Sequence, residues 1–156
     1  MNISSRPAQA EDIPFLLESM ARLYAEDGTA ALVRPEAEAA LARLLADASL
    51  GRARVLEANG ERAGYLIVTF GFSLESHGRI AFVDELFVAG HYRGRGIGTH
   101  ALRVAEGICE ETHARALRLE VERANTRALR LYTRCGFREY DRRWMSKRIE
   151  ERGATP

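Results

Sequence analysis

The sequence lacks several features that would assign it to a large class of proteins. Its two cysteines, Cys109 and Cys135, form no C-x-x-C pair and no ligand spacing with histidine, so we expect reduced thiols, a cytoplasmic location and no metal site. No apolar run is long enough to span a bilayer, and the N-terminus does not resemble a signal peptide. The net charge of +1 gives no bulk attraction to nucleic acid or anionic membranes, so neither is expected as a partner.

The hydrophobic patterns predict one α/β domain over residues 1–151, followed by a frayed tail over 152–156. Helical periodicity covers 11–25, a segment after Pro35, 96–112 and 126–134. Strand patterns cover 3–6, 52–58, 62–70, 80–88, 117–121, 138–141 and 144–149, with a loop at 71–78. The order is β-α-α-β-β-β-α-β-α-β-β. We expect a central mixed sheet with helices on both faces, since Asn59-Gly60 favours an antiparallel hairpin and the helix at 96–112 connects parallel strands.

A glycine cluster, RGRGIG at 93–98, follows a strand and begins a helix. This arrangement presents backbone N–H groups to a phosphate. The cluster is not a P-loop, because no Lys follows its glycines. A dinucleotide fingerprint is disfavoured, because Thr99 occupies the place of the third glycine and no second β-α-β half follows. A flexible turn would explain one glycine, but not three that alternate with arginines.

With these residues the chain resembles the GCN5-related N-acetyltransferases (GNAT). Their pattern [R/Q]-x-x-G-x-[G/A] is matched by Arg93, Gly96 and Gly98. The further matches, in the order of the family, are LEV at 119–121, Asn125, LY at 131–132 and GF at 136–137. The strand motif DELFV at 84–88 is similar to that of the diamine and polyamine members. The resemblance implies an enzyme that uses acetyl-CoA as co-substrate and acetylates a primary amine, expected to be a small molecule, by direct attack on the thioester.

The resemblance also implies how the cofactor is held. The backbone of the strand LFV should pair with the pantetheine arm, while small residues admit the diphosphate and two arginines neutralise its charge. Asn125 would contact the cofactor or cap its own helix. The implied cofactor-binding residues are Leu86, Phe87, Val88, Arg93, Gly94, Arg95, Gly96, Ile97, Gly98, Thr99 and Asn125.

Four residues are candidates for proton transfer. Tyr132, at the position of the family's general acid, can protonate the thiolate or simply pack on the sheet. Asp84 and Glu85 are adjacent acids in an apolar strand, where alternation predicts opposite faces. Glu120 occupies the place of the base in the ribosomal-protein acetyltransferases, or belongs to a polar strand face. We rank the candidate bases Asp84, Glu85, Glu120.

The acceptor is expected to contact the first helix, through Tyr24 and Glu26, and the acid Asp84. Acids at the end of that helix could attract a cationic amine, or form a solvated helix end. The alternatives are a protein N-terminus or lysine as acceptor, and a non-catalytic acyl-CoA sensor. A nucleic-acid site in the Arg-rich segment 115–152 is disfavoured, because aromatic residues are not interleaved with its arginines. The resemblance makes a homodimer plausible.

Overall fold

A mixed sheet organises the part of the chain that the computed structural model describes, residues 1–28 and 31–149. Its strands lie in the order β1-β2-β3-β4-β5. Neighbours from β1 to β4 are antiparallel, and β5 is parallel to β4. The strands are β1 (Ile3–Pro7), β2 (Gly51–Ala58), β3 (Glu61–Ser73), β4 (Gly78–Val88) and β5 (Leu117–Leu119). The α-helices in the described ranges are α1 (Ile13–Asp27), α2 (Arg34–Ala46), α3 (Ile97–Thr112) and α4 (Thr126–Arg134).

Helices cover both faces of the sheet, as the element order predicts. One apolar core lies between the sheet and α3, with side chains of α4 packed against it, and it includes Leu66, Val83 and Leu102. The other lies between the sheet and α1 and α2, and it includes Leu16 and Tyr65. Since successive residues of a strand face opposite sides, β3 contributes to both cores. The predicted mixed α/β architecture is therefore confirmed.

Two hairpins set the register of the central strands. Asn59 and Gly60 both have positive φ, 52° and 82°, which suits the tight turn expected between β2 and β3. The loop predicted at 71–78 is shorter than expected, because β3 continues to Ser73 and β4 begins at Gly78. Backbone pairing thus extends beyond the apolar core, to exposed residues whose side chains gave no strand pattern.

The two closing strands predicted at 138–141 and 144–149 are absent from the described residues. All side chains from 138 to 149 are exposed, so this segment buries no apolar face that would hold it on the sheet. β5 also ends at Leu119 rather than at residue 121. The predicted tail, 152–156, lies outside the described residues. None of the helices described is long and apolar enough to cross a membrane.

Candidate active site

The second half of β4 has a partner on only one side. β5 pairs with β4 only from Ala81 to Val83, and the chain after β5 does not continue this ladder. On the other side, β3 pairs with β4 as far as Val88. The sheet therefore has an open edge along residues 84–88, beyond the end of β5.

The backbone groups of Leu86 and Val88 face this open edge. The N–H of Ala89 donates to the carbonyl of Ala63, which identifies these two as a hydrogen-bonded pair across β3 and β4. Such pairs alternate along an antiparallel ladder, so Phe87 and Glu85 also bond to β3. The N–H and C=O groups of Leu86 and Val88 then point away from β3. An extended ligand could pair there with both groups of Leu86 and with the N–H of Val88 as an added strand, while the Val88 carbonyl accepts from Arg93 Nε.

A β-bulge at Asp84 changes which face the acids of β4 occupy. Glu85 pairs with Ile67 and Val83 with Val68, so Asp84 is the extra residue. Val83 packs in the α3-side core, whereas Phe87 packs in the α1-side core. The alternation of side chains between the two faces of β4 is therefore shifted by one residue, and both carboxylates lie on the α1 face of the sheet. The expectation that they point to opposite faces is wrong, because it assumed an unbroken strand.

Glu85 is held by two tyrosines. The hydroxyl of Tyr24 in α1 donates to Glu85 Oε1 at 2.5 Å, and that of Tyr65 in β3 donates to Oε2 at 2.7 Å. Burial raises the pKa of Glu85, while these hydrogen bonds act in the opposite direction. Burial and the carboxylate also raise the pKa of both tyrosines. Since both oxygens of Glu85 accept strong hydrogen bonds, its geometry suits an anchor for α1 better than a proton acceptor.

Asp84 faces a cavity of about 400 Å³ on the same side of the sheet. Burial raises the pKa of Asp84. Glu120, just after β5, also lines the cavity, and burial and the charge of Asp84 raise its pKa. Phe82 and Trp144 form an aromatic wall, with ring centroids 6.5 Å apart. A cavity with acids and aromatic rings suits a cationic or amine-bearing ligand.

The glycine loop leads into the N-terminus of α3. Gly94 and Gly96 have positive φ of 76° and 92°, a conformation that favours glycine. Gly96 is the N-cap, and no side chain in the described part of the chain caps the helix, so the first N–H groups, including those of Ile97 and Thr99, are available to an anion. Gly98 has another role, since a Cβ there would lie 2.8 Å from Leu131 Cδ2. It lets α4 pack closely on α3.

Arg93 and Glu26, which were expected to bind phosphate and acceptor, bind each other. Arg93 Nη2 donates to both carboxylate oxygens of Glu26, at 2.8 and 2.6 Å. Arg93 Nε donates to the carbonyl of Val88 at 2.6 Å. Its guanidinium also lies over the Phe87 ring, 5.7 Å from the centroid. Arg95, two residues further on, is exposed.

Tyr132 and Asn125 lie in or next to α4. Burial raises the pKa of the Tyr132 hydroxyl, as does the charge of Asp27 at the end of α1. Its ring packs edge-on against Phe137 at 5.8 Å. Asn125 Oδ1 accepts from the N–H of Ala128 at 3.1 Å, so this side chain caps its helix. Asn125 therefore caps its helix and Tyr132 packs against Phe137, whereas the cofactor contact of Asn125 and the acid role of Tyr132 stay predictions.

Comparison with known proteins assigns the fold to a family. The model of the acetyltransferase (GNAT) family matches residues 17–137. The chain belongs to the acetyltransferase (GNAT) family. This confirms the family and fold class predicted from the sequence, and members of this family are acetyltransferases that use acetyl-CoA.

Individual relatives agree with this family. The chain is 34% identical over 85 residues to the uncharacterized N-acetyltransferase YhfO of Bacillus subtilis, covering 54% of this chain and 57% of that protein. It is 31% identical over 91 residues to the thialysine N-epsilon-acetyltransferase of Bos taurus, covering 56% and 54%. The chain thus spans about half the length of these curated relatives. A solved integron cassette protein from the Cole Harbour Salt Marsh metagenome superposes with a TM-score of 0.82 and 33% identity, covering 94% and 91%.

Sequence reasoning about this GNAT domain missed Tyr65 and the aromatic wall. Tyr65 is fully buried, yet its hydroxyl bonds to Glu85. The register of the hairpin between β3 and β4, in which Tyr65 pairs with Phe87 and Ile67 with Glu85, brings Tyr65 next to the acid; the predicted loop at 71–78 between two strands is the sequence signal for that hairpin. Phe82 lies in the predicted strand 80–88, and from the sequence alone Trp144 is either a pocket wall or a core anchor. The segment that carries Trp144 has no regular structure, so its contact with Phe82 could not be predicted. A contact between a strand and a segment without regular structure leaves no periodic pattern in the sequence.

Proposed function

We propose that the chain is an acetyl-CoA-dependent N-acetyltransferase that acts on a primary amine of a small molecule. The observation that carries this proposal is the open half of β4, which runs directly into the glycine loop and the uncapped start of α3. A thioester arm needs an extended backbone edge, and its diphosphate needs a cluster of N–H donors. Both lie on one continuous stretch of this chain, residues 84–99.

The residues present fit acetyl-CoA. Gly94 has open space around the position of its missing Cβ, and its positive φ disfavours any bulkier residue. The first N–H groups of α3 and the exposed Arg95 supply positive potential for phosphates. The backbone of Leu86 and Val88 supplies the edge for pantetheine. Bound acetyl-CoA supplies an acetyl thioester, which a neutral amine can attack.

Asp84 is the proposed proton acceptor for the amine. It lines the cavity and, unlike Glu85, is not engaged by the tyrosines of the site. Burial raises its pKa, which brings a carboxylate closer to the range useful for proton transfer. Glu120 shares the cavity and contributes negative charge that favours an ammonium group. Tyr132 is the proposed acid for the thiolate, kept protonated by its raised pKa.

A small cationic amine is the favoured acceptor. The cavity combines the carboxylates of Asp84 and Glu120 with the rings of Phe82 and Trp144, a combination that attracts alkylammonium groups. The thialysine N-epsilon-acetyltransferase relatives are named for an amine on a small molecule. Tyr24 is proposed to border the acceptor through its bond to Glu85, whereas Glu26 is engaged by Arg93.

The test is release of CoA thiol by the purified chain with acetyl-CoA and a panel of diamines, ω-amino acids and peptides. We expect turnover with at least one small diamine or ω-amino acid. Turnover only with a peptide N-terminus or lysine would favour a protein acetyltransferase. Calorimetric binding of acetyl-CoA without turnover on any acceptor would favour a sensor, and absence of binding would reject the proposal.

The expected homodimer and cytoplasmic location stay predictions. The segment 138–149 carries several exposed apolar side chains, including Tyr140, Trp144, Met145 and Ile149, each more than 70% exposed. Burial of such a segment against a second copy would remove apolar surface from water. Sedimentation equilibrium of the full chain measures the oligomeric state, and a mass of 17.4 kDa at micromolar concentration would reject the dimer.

A further inference from the structure

Arg93 connects three separate parts of the site. Its guanidinium bonds to the Glu26 carboxylate at the end of α1 and to the Val88 carbonyl at the open edge of β4, and it covers the Phe87 ring. The ion pair with Glu26 has a shortest N–O distance of 2.6 Å. The guanidinium group of arginine is planar and its N–H donors point in fixed directions, so it can bind several partners at once. Arg93 is thus a direct link between the acceptor-side helix and the cofactor edge, in addition to the hydrogen bond between Tyr24 and Glu85.

The same contacts make Arg93 a poor phosphate ligand. Its Nε and Nη2 donors are already used, and its charge is compensated by Glu26. Asp27, the next residue of α1, adds further negative charge nearby, and its pKa is lowered by Arg93 although burial raises it overall. A diphosphate would have to break the ion pair between Arg93 and Glu26 before it could bind the Arg93 guanidinium. Arg95, on the same loop, is exposed, and no ion pair to it is formed within residues 1–28 and 31–149.

We propose that Arg93 is a positioning residue, which fixes the end of α1 and the Val88 carbonyl relative to each other, and that Arg95 is the arginine that faces the diphosphate. This inference rests on the proposed function. Tyr24 lies on the same last turns of α1 and bonds to Glu85, so the link also holds α1 against the half of β4 that carries the acids. Arg93 then acts on the pantetheine edge, and not on the phosphates.

Binding of two ligands separates these roles. Pantetheine has the arm that pairs with the strand edge but no phosphates, whereas CoA has both. By calorimetry, Arg93→Gln should weaken CoA and pantetheine by the same factor, about tenfold, as expected for loss of a charged hydrogen bond. Arg95→Gln should weaken CoA about fivefold and leave pantetheine unchanged. The reverse pattern, in which Arg93→Gln weakens only CoA, would overturn the inference.

A conservative variant provides a second discrimination. Lys replaces Arg as a point charge but cannot hold several partners in one plane. Arg93→Lys should therefore weaken both ligands nearly as much as Arg93→Gln. Retention of CoA affinity in Arg93→Lys would indicate a phosphate ligand and overturn the inference. Circular dichroism confirms that each variant is folded before it is titrated.

The Glu26 partner gives the closing test. If the two residues act as a pair, Arg93→Gln combined with Glu26→Gln should weaken pantetheine by much less than the product of the single effects. Glu18→Gln is the matched control, since it breaks an exposed ion pair with Arg22 on the same helix and should change neither affinity. If the effects of the Arg93 and Glu26 substitutions are independent, the inference is overturned but the proposed function is not. Failure of the wild-type chain to bind CoA would reject the proposed function as well.

Discussion

The two halves of β4 belong to one continuous strand, but they pair with different neighbouring strands. Residues 78–83 lie between β3 and, at 81–83, β5, and they contribute Ala81 and Val83 to the core. Residues 84–88 begin with a bulge, pair only with β3, and carry the two acids. The half that pairs with both β3 and β5 stabilises the fold, and the half with an open edge has backbone groups left for a ligand. The difference follows from one extra residue and from the short β5.

The largest effect should come from neutralising the acid at the bulge. Asp84→Asn should lower kcat/KM by about 10²–10⁴-fold, the usual contribution of a positioned proton acceptor. The free energy of unfolding should not fall, because the variant removes a carboxylate whose charged form is disfavoured by partial desolvation, as its raised pKa indicates. Steady-state kinetics with the best amine and urea unfolding measure both quantities. Full activity in Asp84→Asn, with strong loss in Glu120→Gln, would reverse the ranking of the bases.

The paired half should respond in the opposite way. Ala81→Gly removes a methyl group from a side chain that is 0% exposed and frees the strand backbone, so the free energy of unfolding should fall by about 1–2 kcal/mol. Since Ala81 packs in the α3-side core and does not line the acceptor cavity, kcat/KM per folded molecule should stay within about twofold, which is under 0.5 kcal/mol. Chemical denaturation and active-site titration measure these values. A large fall in kcat/KM with an unchanged free energy of unfolding would contradict the assignment of residues 78–83 to the fold and of residues 84–88 to the site.

The loop that follows the open half should be sensitive to backbone strain. Gly96→Ala must keep a φ near +92°, which costs about 1–2 kcal/mol, so acetyl-CoA affinity should fall about tenfold. Gly107→Ala is a control within α3, because it has ordinary helical backbone and open space for a Cβ. It should leave affinity unchanged and raise stability slightly. Equal calorimetric affinity for both variants would contradict a role for the loop conformation.

The smallest effect is a pH dependence of stability. Burial holds the folded-state pKa of Asp84 above its ordinary value of 3.8, so the folded state binds a proton more tightly than the unfolded state. The resulting stabilisation is complete below 3.8 and is lost as the pH rises through the folded-state pKa. Asp84→Asn should therefore match the wild type at low pH and exceed it in stability at neutral pH. A difference that shrinks as the pH rises would contradict the assigned shift.

The parts of the site that could be predicted from the sequence are those with a local pattern. The Asn59-Gly60 turn, the helix start at Gly96 and the parallel crossover from β4 to β5 follow from turn residues and periodicity. The bulge at Asp84 could not be predicted, since a single extra residue leaves no trace in an apolar strand. The ion pair that takes Arg93 away from the phosphates could not be predicted either, because it joins residues that are distant in the sequence. Glu26 is 67 residues away from Arg93 in the sequence.

Amide hydrogen exchange along β4, with and without acetyl-CoA, tests the central claim most directly. The N–H groups of Leu86 and Val88 face the open edge, whereas those of Glu85 and Phe87 bond to β3. We predict fast exchange at Leu86 and Val88 in the free protein and strong protection when acetyl-CoA is bound, with Glu85 and Phe87 protected in both states. Unchanged fast exchange at Leu86 and Val88 in the saturated complex would show that the open half of β4 is not where the cofactor binds.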